Sequence, residues 1–161
     1  MGFQSANPVM FESVSNVTAT NSVELGTLRC ENGEWYEYVY AVGTIAAGFG
    51  AAYTGTSGHS VLMTGVISGE HCAGFCKHAD ISSGKYGWLL KKGVVDAKNG
   101  RASTVPVAGQ VAHFAADGAF CTDLNVATTA IDGGHVVGKI LSAGASGGTG
   151  ASLSLLFLSV F

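Results

Sequence analysis

Charged side chains are scarce in this chain, and basic residues are scarcer than acidic ones. Asp, Glu, Lys and Arg make up 12% of its 161 residues, with 8 Lys+Arg against 11 Asp+Glu, which gives a net charge of −3. A dedicated nucleic-acid-binding protein needs a basic face to neutralise phosphates, so we expect no nucleic-acid partner. Disorder is also excluded, because 47% of the residues are hydrophobic and disordered chains are poor in apolar residues.

Long apolar runs are missing as well. Residues 38–69 and 140–161 carry no charge, but Gly, Ser and Thr interrupt both stretches. Neither holds the roughly 18 continuous apolar residues that indicate a membrane-spanning helix. The first residues lack both the base and the apolar run of a secretory signal. We therefore expect no membrane partner.

Good helical segments are lacking, and the chain favours strands. It contains 24 Gly, and each interior Gly costs a helix about 1 kcal/mol relative to Ala. Runs rich in Val, Ile, Leu, Tyr, Phe and Thr alternate with turn residues, which is typical of strands. Asn32-Gly33 predicts a tight hairpin turn. The predicted strands are residues 23–29, 34–42, 61–68, 86–92, 103–107, 110–114, 135–142 and 151–161.

These patterns predict an all-β fold, a compact β-barrel or β-sandwich of the jelly-roll or tulip-like kind. Residues 23–161 form the single predicted β domain, and residues 1–22 form an extended N-terminal arm. The arm carries Phe3, Val9, Met10 and Phe11, so it is too apolar to prefer water and we expect it to lie on a protein surface. The last predicted strand is apolar on both faces near its end, which indicates either burial on both sides or packing against another chain.

Two segments partly match catalytic or nucleotide-binding motifs, but each lacks residues that the motif requires. Residues 144–148 match the G-x-S-x-G pattern of a nucleophile elbow, but no Asp or His follows them. Residues 133–139 resemble a phosphate-binding loop, but Ile140 stands where Ser or Thr must hold Mg²⁺. We expect no catalytic residues and no cofactor, and the protein is predicted not to be an enzyme.

One dense group of potential metal ligands lies at His71, Cys72, Cys76 and His78. Two thiols and two imidazoles suit Zn²⁺, but structural zinc sites split their ligands into two distant pairs. The other two cysteines, Cys30 and Cys121, stand alone. The group is therefore a weak zinc candidate, and a disulfide involving one of the four cysteines and free thiols remain open as alternatives.

Basic residues are concentrated in one part of the chain. Residues 77–101 hold six bases and two acids, whereas residues 31–37 hold three acids and no base. One interpretation is a solvated basic face. The other is a docking surface, which includes Lys91 and Lys92, for an acidic partner such as residues 31–37 of another copy.

A resemblance adds to these patterns. Residues 24–27 read Glu-Leu-Gly-Thr, residues 37–40 Glu-Tyr-Val-Tyr, and residues 85–90 Lys-Tyr-Gly-Trp-Leu-Leu. Further strand-and-glycine segments follow at residues 44–48, 104–111 and 135–141, with a hydrophobic end at 153–161. Over most of residues 23–161 the chain resembles the decoration, cement or head-stabilising proteins of tailed-bacteriophage heads.

The resemblance implies a non-enzymatic virion protein on the outer capsid surface. Such a protein binds the major capsid protein, bridges neighbouring capsomers and commonly forms homotrimers. On this hypothesis the capsid-binding residues are Phe3, Val9, Met10, Phe11, Lys91 and Lys92. The alternative is a receptor- or carbohydrate-binding β module of a virion fibre, in which Tyr36, Tyr38, Tyr40 and Trp88 stack on sugars.

Overall fold

The protein is all-β. The computed structural model describes residues 12–54, 58–63, 72–98, 106–114, 118–121, 136–142 and 151–155, and of residues 121 and 151–155 the backbone alone. These ranges contain strands and no helix, which confirms the predicted fold class. The strands are β1 (Leu28–Glu31), β2 (Glu34–Ala41), β3 (Gly50–Tyr53), β4 (Ser60–Leu62), β5 (Cys72–Phe75), β6 (Lys85–Ala97), β7 (Val111–Phe114), β8 (Phe120–Cys121), β9 (Val136–Ile140) and β10 (Ala151–Leu155).

Five strands close into a barrel. β2 pairs in parallel with β4, and antiparallel pairs then link β4 to β3, β3 to β5 and β5 to β6. The ring closes because β6 also pairs with β2 over most of its length. Of the two predicted architectures, the structure therefore has the barrel.

A second sheet grows out of the barrel along β6. This strand has 13 residues, and its final five, 93–97, pair with β10 instead of β2. The sheet then continues through β9 and β7 to β8. Gly93 stands where β6 leaves the barrel, and its φ of +145° lies in a region that favours glycine. A Cβ there would come within 2.8 Å of the Glu34 side chain.

The predicted hairpin turn is present. Asn32 and Gly33 connect β1 to β2, with φ angles of +52° and +80°. Two consecutive positive φ angles are those of the tight turn that Asn-Gly favours. Glu31 consequently faces Glu34 across the hairpin.

Several elements differ from the predicted strands. β3, β5 and β8 were not predicted, and β5 includes Cys72, which we had placed in a potential metal site. Residues 106 and 107 of the predicted strand 103–107 lie outside any strand, and residues 103–105 lie outside the described ranges.

The barrel interior is filled by small and aliphatic side chains. The narrow lumen of a five-stranded ring leaves little room, and the fully buried residues that β3 and β5 contribute to the cluster inside are alanines, Ala51 and Ala73, with the partly buried Tyr53 packed against them. Gly87 has no side chain where Ile81 fills the lumen, since a Cβ there would come within 2.8 Å of Ile81 Cδ1. The other members of the cluster are Val39, Ala41, Ile45, Val61, Cys76 and Leu89.

A second, larger core lies on the outside of the barrel. Its centre is aromatic, and the second sheet contributes Phe114, Phe120, Val137 and Ile140. Residues 12–26, which we call the strap, cover another part of this face. Val14 and Val23 of the strap are buried in the same cluster, and Thr18 forms an antiparallel bridge with Tyr86.

The described part of the predicted arm therefore packs on its own barrel. The arm residues assigned to capsid binding, Phe3, Val9, Met10 and Phe11, lie outside the described ranges. Among the described residues, none belongs to a helix long and apolar enough to cross a membrane.

Candidate functional site

The acidic and basic stretches of the sequence meet inside one chain. Glu34 forms an ion pair with Lys77, and Glu37 forms one with Lys91. The docking interpretation required these two glutamates to be available to another copy, and their partners within the chain make that part of it wrong. Two polar networks result, one inside the barrel and one where β6 leaves it.

The first group, which we call the barrel network, consists of Glu37, Tyr53, His59 and Lys91. The Tyr53 hydroxyl donates to Glu37 Oε2 at 2.6 Å, and Lys91 Nζ lies 2.9 Å from that oxygen and 2.9 Å from the Tyr53 hydroxyl. His59 Nδ1 lies 2.7 Å from Glu37 Oε1. Both carboxylate oxygens of Glu37 are therefore occupied.

The protonation of Glu37 follows from these contacts. Burial by itself raises the pKa of a carboxyl, but the hydrogen bond from Tyr53 and the nearby charge of Lys91 outweigh it and hold the pKa of Glu37 below its ordinary value. Burial and the neighbouring Glu37 carboxylate raise the pKa of Tyr53. The network is thus an ionised Glu37 carboxylate paired with Lys91 and hydrogen-bonded by the Tyr53 hydroxyl.

Lys91 corrects one predicted site residue. It is only 3% exposed and shares the interior face of β6 with Leu89, because alternate residues of a strand point to the same side. A side chain in this position cannot reach a capsid surface, so Lys91 leaves the set of capsid-binding candidates. Lys92 points the other way and is exposed, and its role stays a prediction.

The second group, which we call the junction network, consists of Glu34, Tyr36, Lys77 and His78. Lys77 Nζ donates to both Glu34 oxygens at 2.6 and 2.7 Å, and the Tyr36 hydroxyl donates to Glu34 at 2.6 Å. The Val94 backbone N–H adds a fourth bond at 3.1 Å. Against the effect of burial, these donors hold the pKa of Glu34 below its ordinary value. The carboxylate links the barrel to the start of the second sheet.

The Cys/His group does not form a metal site within the described residues. No cluster of three potential ligands occurs among them, and His71 lies outside them. His78 stacks on Tyr36, with ring centroids 5.8 Å apart. Cys72 and Cys76 are buried free thiols, and burial raises the pKa of each to about 12. Such thiols are poor metal ligands and nucleophiles at neutral pH.

The predicted aromatic face is real, but most of it is covered. Tyr36, Tyr38 and Trp88 are 2%, 0% and 3% exposed, so they cannot stack on a sugar, and that part of the carbohydrate alternative is wrong. Tyr40 remains partly exposed, and so does Tyr86 beside it. Their ring centroids are 5.1 Å apart.

Comparison with known proteins bears on the fold. No family model matches the sequence, and no curated protein matches it. Among solved structures, the chain is similar to the N base of head fiber gp8.5 in bacteriophage phi29, with a TM-score of 0.50 and 12% sequence identity. The match covers 78% of this chain and 97% of that one. The chain shares its fold with the base of a phage head fibre.

Two residues of the barrel network were missed by sequence reasoning. Tyr53 belongs to β3, an alanine- and glycine-rich strand that was not predicted, and His59 stands directly before β4. The pairing of each with Glu37 spans 16 and 22 residues and follows from barrel closure. No local signal in the sequence indicates it.

Proposed function

We propose that this chain is a non-enzymatic structural protein of a tailed-bacteriophage virion, bound to the outer surface of the head. The observation that supports it most is the shared fold with the head-fibre base, which extends over nearly all of that domain. The strand-and-glycine resemblance to head decoration proteins leads independently to the same class. The two lines together favour the capsid exterior as its location.

The chemistry of the networks agrees with a structural role. An acid–base catalyst needs a carboxyl that is open to substrate. The carboxylates of Glu34 and Glu37 instead have three partner residues each within the chain. These hydrogen bonds and ion pairs connect neighbouring strands and stabilise the fold, which suits a structural protein.

The finer proposal is that the protein binds the major capsid protein, stabilises contacts between capsomers and acts as a homotrimer. Support for self-association comes from the second sheet and the residues that flank its strands. Val94, Val111 and Val136 on the strands, and Val107 and Leu141 beside them, are exposed large hydrophobic residues. Exposed apolar residues concentrated in one part of a surface are typical of interaction sites. The arm residues Phe3, Val9, Met10 and Phe11 and the exposed Lys92 remain the proposed capsid contacts.

Co-sedimentation with undecorated phage heads tests the proposal. The full chain should pellet stoichiometrically with heads and should protect them against heat. A chain lacking residues 1–11 should bind more weakly, whereas Lys92→Gln should mainly slow association and reduce its salt dependence. Lys91→Gln is unsuitable as a probe because it breaks a buried pair. A full chain that never pellets with heads would refute the capsid role.

A further inference from the structure

The barrel exterior carries a pair of neighbouring, partly exposed tyrosines. Tyr40 on β2 and Tyr86 on β6 are directly opposite in the strand register, and their rings are tilted by 49°. Both are partly exposed. Within the described part of the chain, neither phenol hydroxyl has a hydrogen-bond partner.

Tyr38, two residues before Tyr40 on β2, is buried and its hydroxyl has partners. Tyr38 stacks on Tyr86 with centroids 6.1 Å apart, but it is fully buried, and the hydroxyls of Thr18 and Ser22 lie 3.2 and 3.1 Å from its own. The strap thus covers Tyr38 and provides partners for its hydroxyl, whereas the side chains of Tyr40 and Tyr86 stay partly exposed. Tyr86 has ring contacts with both Tyr38 and Tyr40, which limit the movement of its side chain.

We propose that Tyr40 and Tyr86 form a binding platform for a neutral saccharide. This inference goes beyond the proposed capsid role and does not depend on it. A sugar ring offers C–H faces that pack on aromatic rings and hydroxyls that pair with the free phenols, so it matches both properties of the pair.

Other ligand classes fit less well. A purely apolar partner would bury two phenol hydroxyls without hydrogen bonds, which is costly. A nucleic acid would also stack on tyrosine, but it needs several cations along its backbone. The nearest base along the platform strands is Lys85, beside Tyr86, and the whole chain is acidic.

NMR titration of the full, ¹⁵N-labelled chain tests the platform. The probes are the methyl glycosides of glucose, galactose, mannose and N-acetylglucosamine, with a proline-rich peptide and a short single-stranded DNA as competing classes. At least one glycoside should produce saturable shifts at Thr18, Tyr40, Lys85 and Tyr86. Shifts at these residues with the peptide or the DNA alone would overturn the proposal, and so would no saturable shift with any probe.

Tyrosine-to-phenylalanine variants separate binding from folding. Because the two hydroxyls have no partner in the described part of the chain, Tyr40→Phe and Tyr86→Phe should melt at the temperature of the unmodified protein. Each should nevertheless weaken glycoside binding by about two- to tenfold, the ratio expected for one net hydrogen bond. Val111→Ala on the second sheet is the matched control and should bind normally. Unchanged affinity in both Phe variants would overturn the assignment of the hydroxyls.

Discussion

Adjacent residues on β6 show how position in a strand decides what a lysine does. Lys91 and Lys92 look identical in the sequence, yet one is buried in an ion pair and the other is exposed. Because successive side chains of a strand point to opposite faces of the sheet, Lys91 and Lys92 are expected to lie on opposite faces. The inward one shares its face with Leu89, but the pairing of Lys91 with Glu37 also depends on the register shift between Trp35 and Tyr36. A register shift of this kind cannot be predicted from the sequence.

The lowered pKa of Glu37 makes part of the stability depend on pH. A carboxyl whose pKa is lower in the folded state stabilises the fold above its unfolded pKa, and this contribution disappears as the pH falls through the folded pKa. The ordinary value is 4.5. The unfolding free energy of the unmodified chain should therefore exceed that of Glu37→Gln most clearly at neutral pH.

Urea unfolding at a series of pH values measures this difference. The gap between the two proteins should stay constant down to about pH 5 and should then narrow in more acidic solution. Glu34, whose pKa is also lowered, adds a similar slope to both proteins and cancels in the comparison. A gap that does not change with pH would contradict the ionised state of Glu37.

Removing one partner of the buried pair should be costly. Lys91→Met leaves the Glu37 carboxylate buried without its cation, and breaking such a pair typically costs about 3–5 kcal/mol. The double variant Lys91→Met/Glu37→Leu should recover part of this loss, because an apolar pair needs no charge compensation. Recovery should be incomplete, since the Tyr53 hydroxyl then loses its acceptor.

Thermal and urea unfolding of both variants measures the effect, and Lys92→Met is the control. This exposed neighbour should change the unfolding free energy by at most about 0.5 kcal/mol. A double variant less stable than Lys91→Met would show that the remaining partners of Glu37 matter more than its charge.

At the level of elements, strands with a strong local signal were predicted and the others were not. β2, β6, β7 and β9 contain aromatic and β-branched residues and lie close to predicted strands, and Asn32-Gly33 predicted the first hairpin. β3 and β5 have the sequences GAAY and CAGF, which are poor in such residues. They are strands because the barrel must close, and their lumen-facing residues Ala51 and Ala73 are small because a narrow barrel leaves little room there.

The strap is an element whose contribution can be isolated by deletion. Removing residues 1–11 leaves the strap in place, so the melting temperature should hardly change. Removing residues 1–22 takes away Val14 and the Thr18 bridge and uncovers Tyr38 and Trp88. Burial of Val14 alone is worth about 1.5–3 kcal/mol, so this deletion should lower the melting temperature by several degrees.

Calorimetry together with tryptophan fluorescence distinguishes the two deletions. The longer one should shift the emission to the red as the Trp88 ring meets water, and the shorter one should not. Equal melting temperatures and spectra for both would mean that the strap contributes no stability.

At the scale of the whole molecule, composition and alternation predicted the all-β class but left barrel and sandwich open. The choice between them depends on whether β6 pairs with β2 as well as β5, a contact between distant parts of the chain. The second sheet, which continues from the same strand, was not foreseen for the same reason. It brings Val94 and Val111 into one row with Lys139, linked through Ser154.

This row is the basis of the last prediction, which concerns self-association. Val94 and Val111 are 43% and 46% exposed, and a buried carboxylate between copies would be costly because it lacks a partner. Analytical ultracentrifugation should show trimers of the unmodified protein at high concentration, and Val94→Glu and Val111→Glu should shift it towards monomers without lowering the melting temperature. Val42→Glu, on the barrel exterior at similar exposure (46%), should still form trimers. If all three variants dissociate alike, the added negative charge and not the position of the residue causes the dissociation. If the unmodified protein stays monomeric even on phage heads, the second sheet is not a self-association surface.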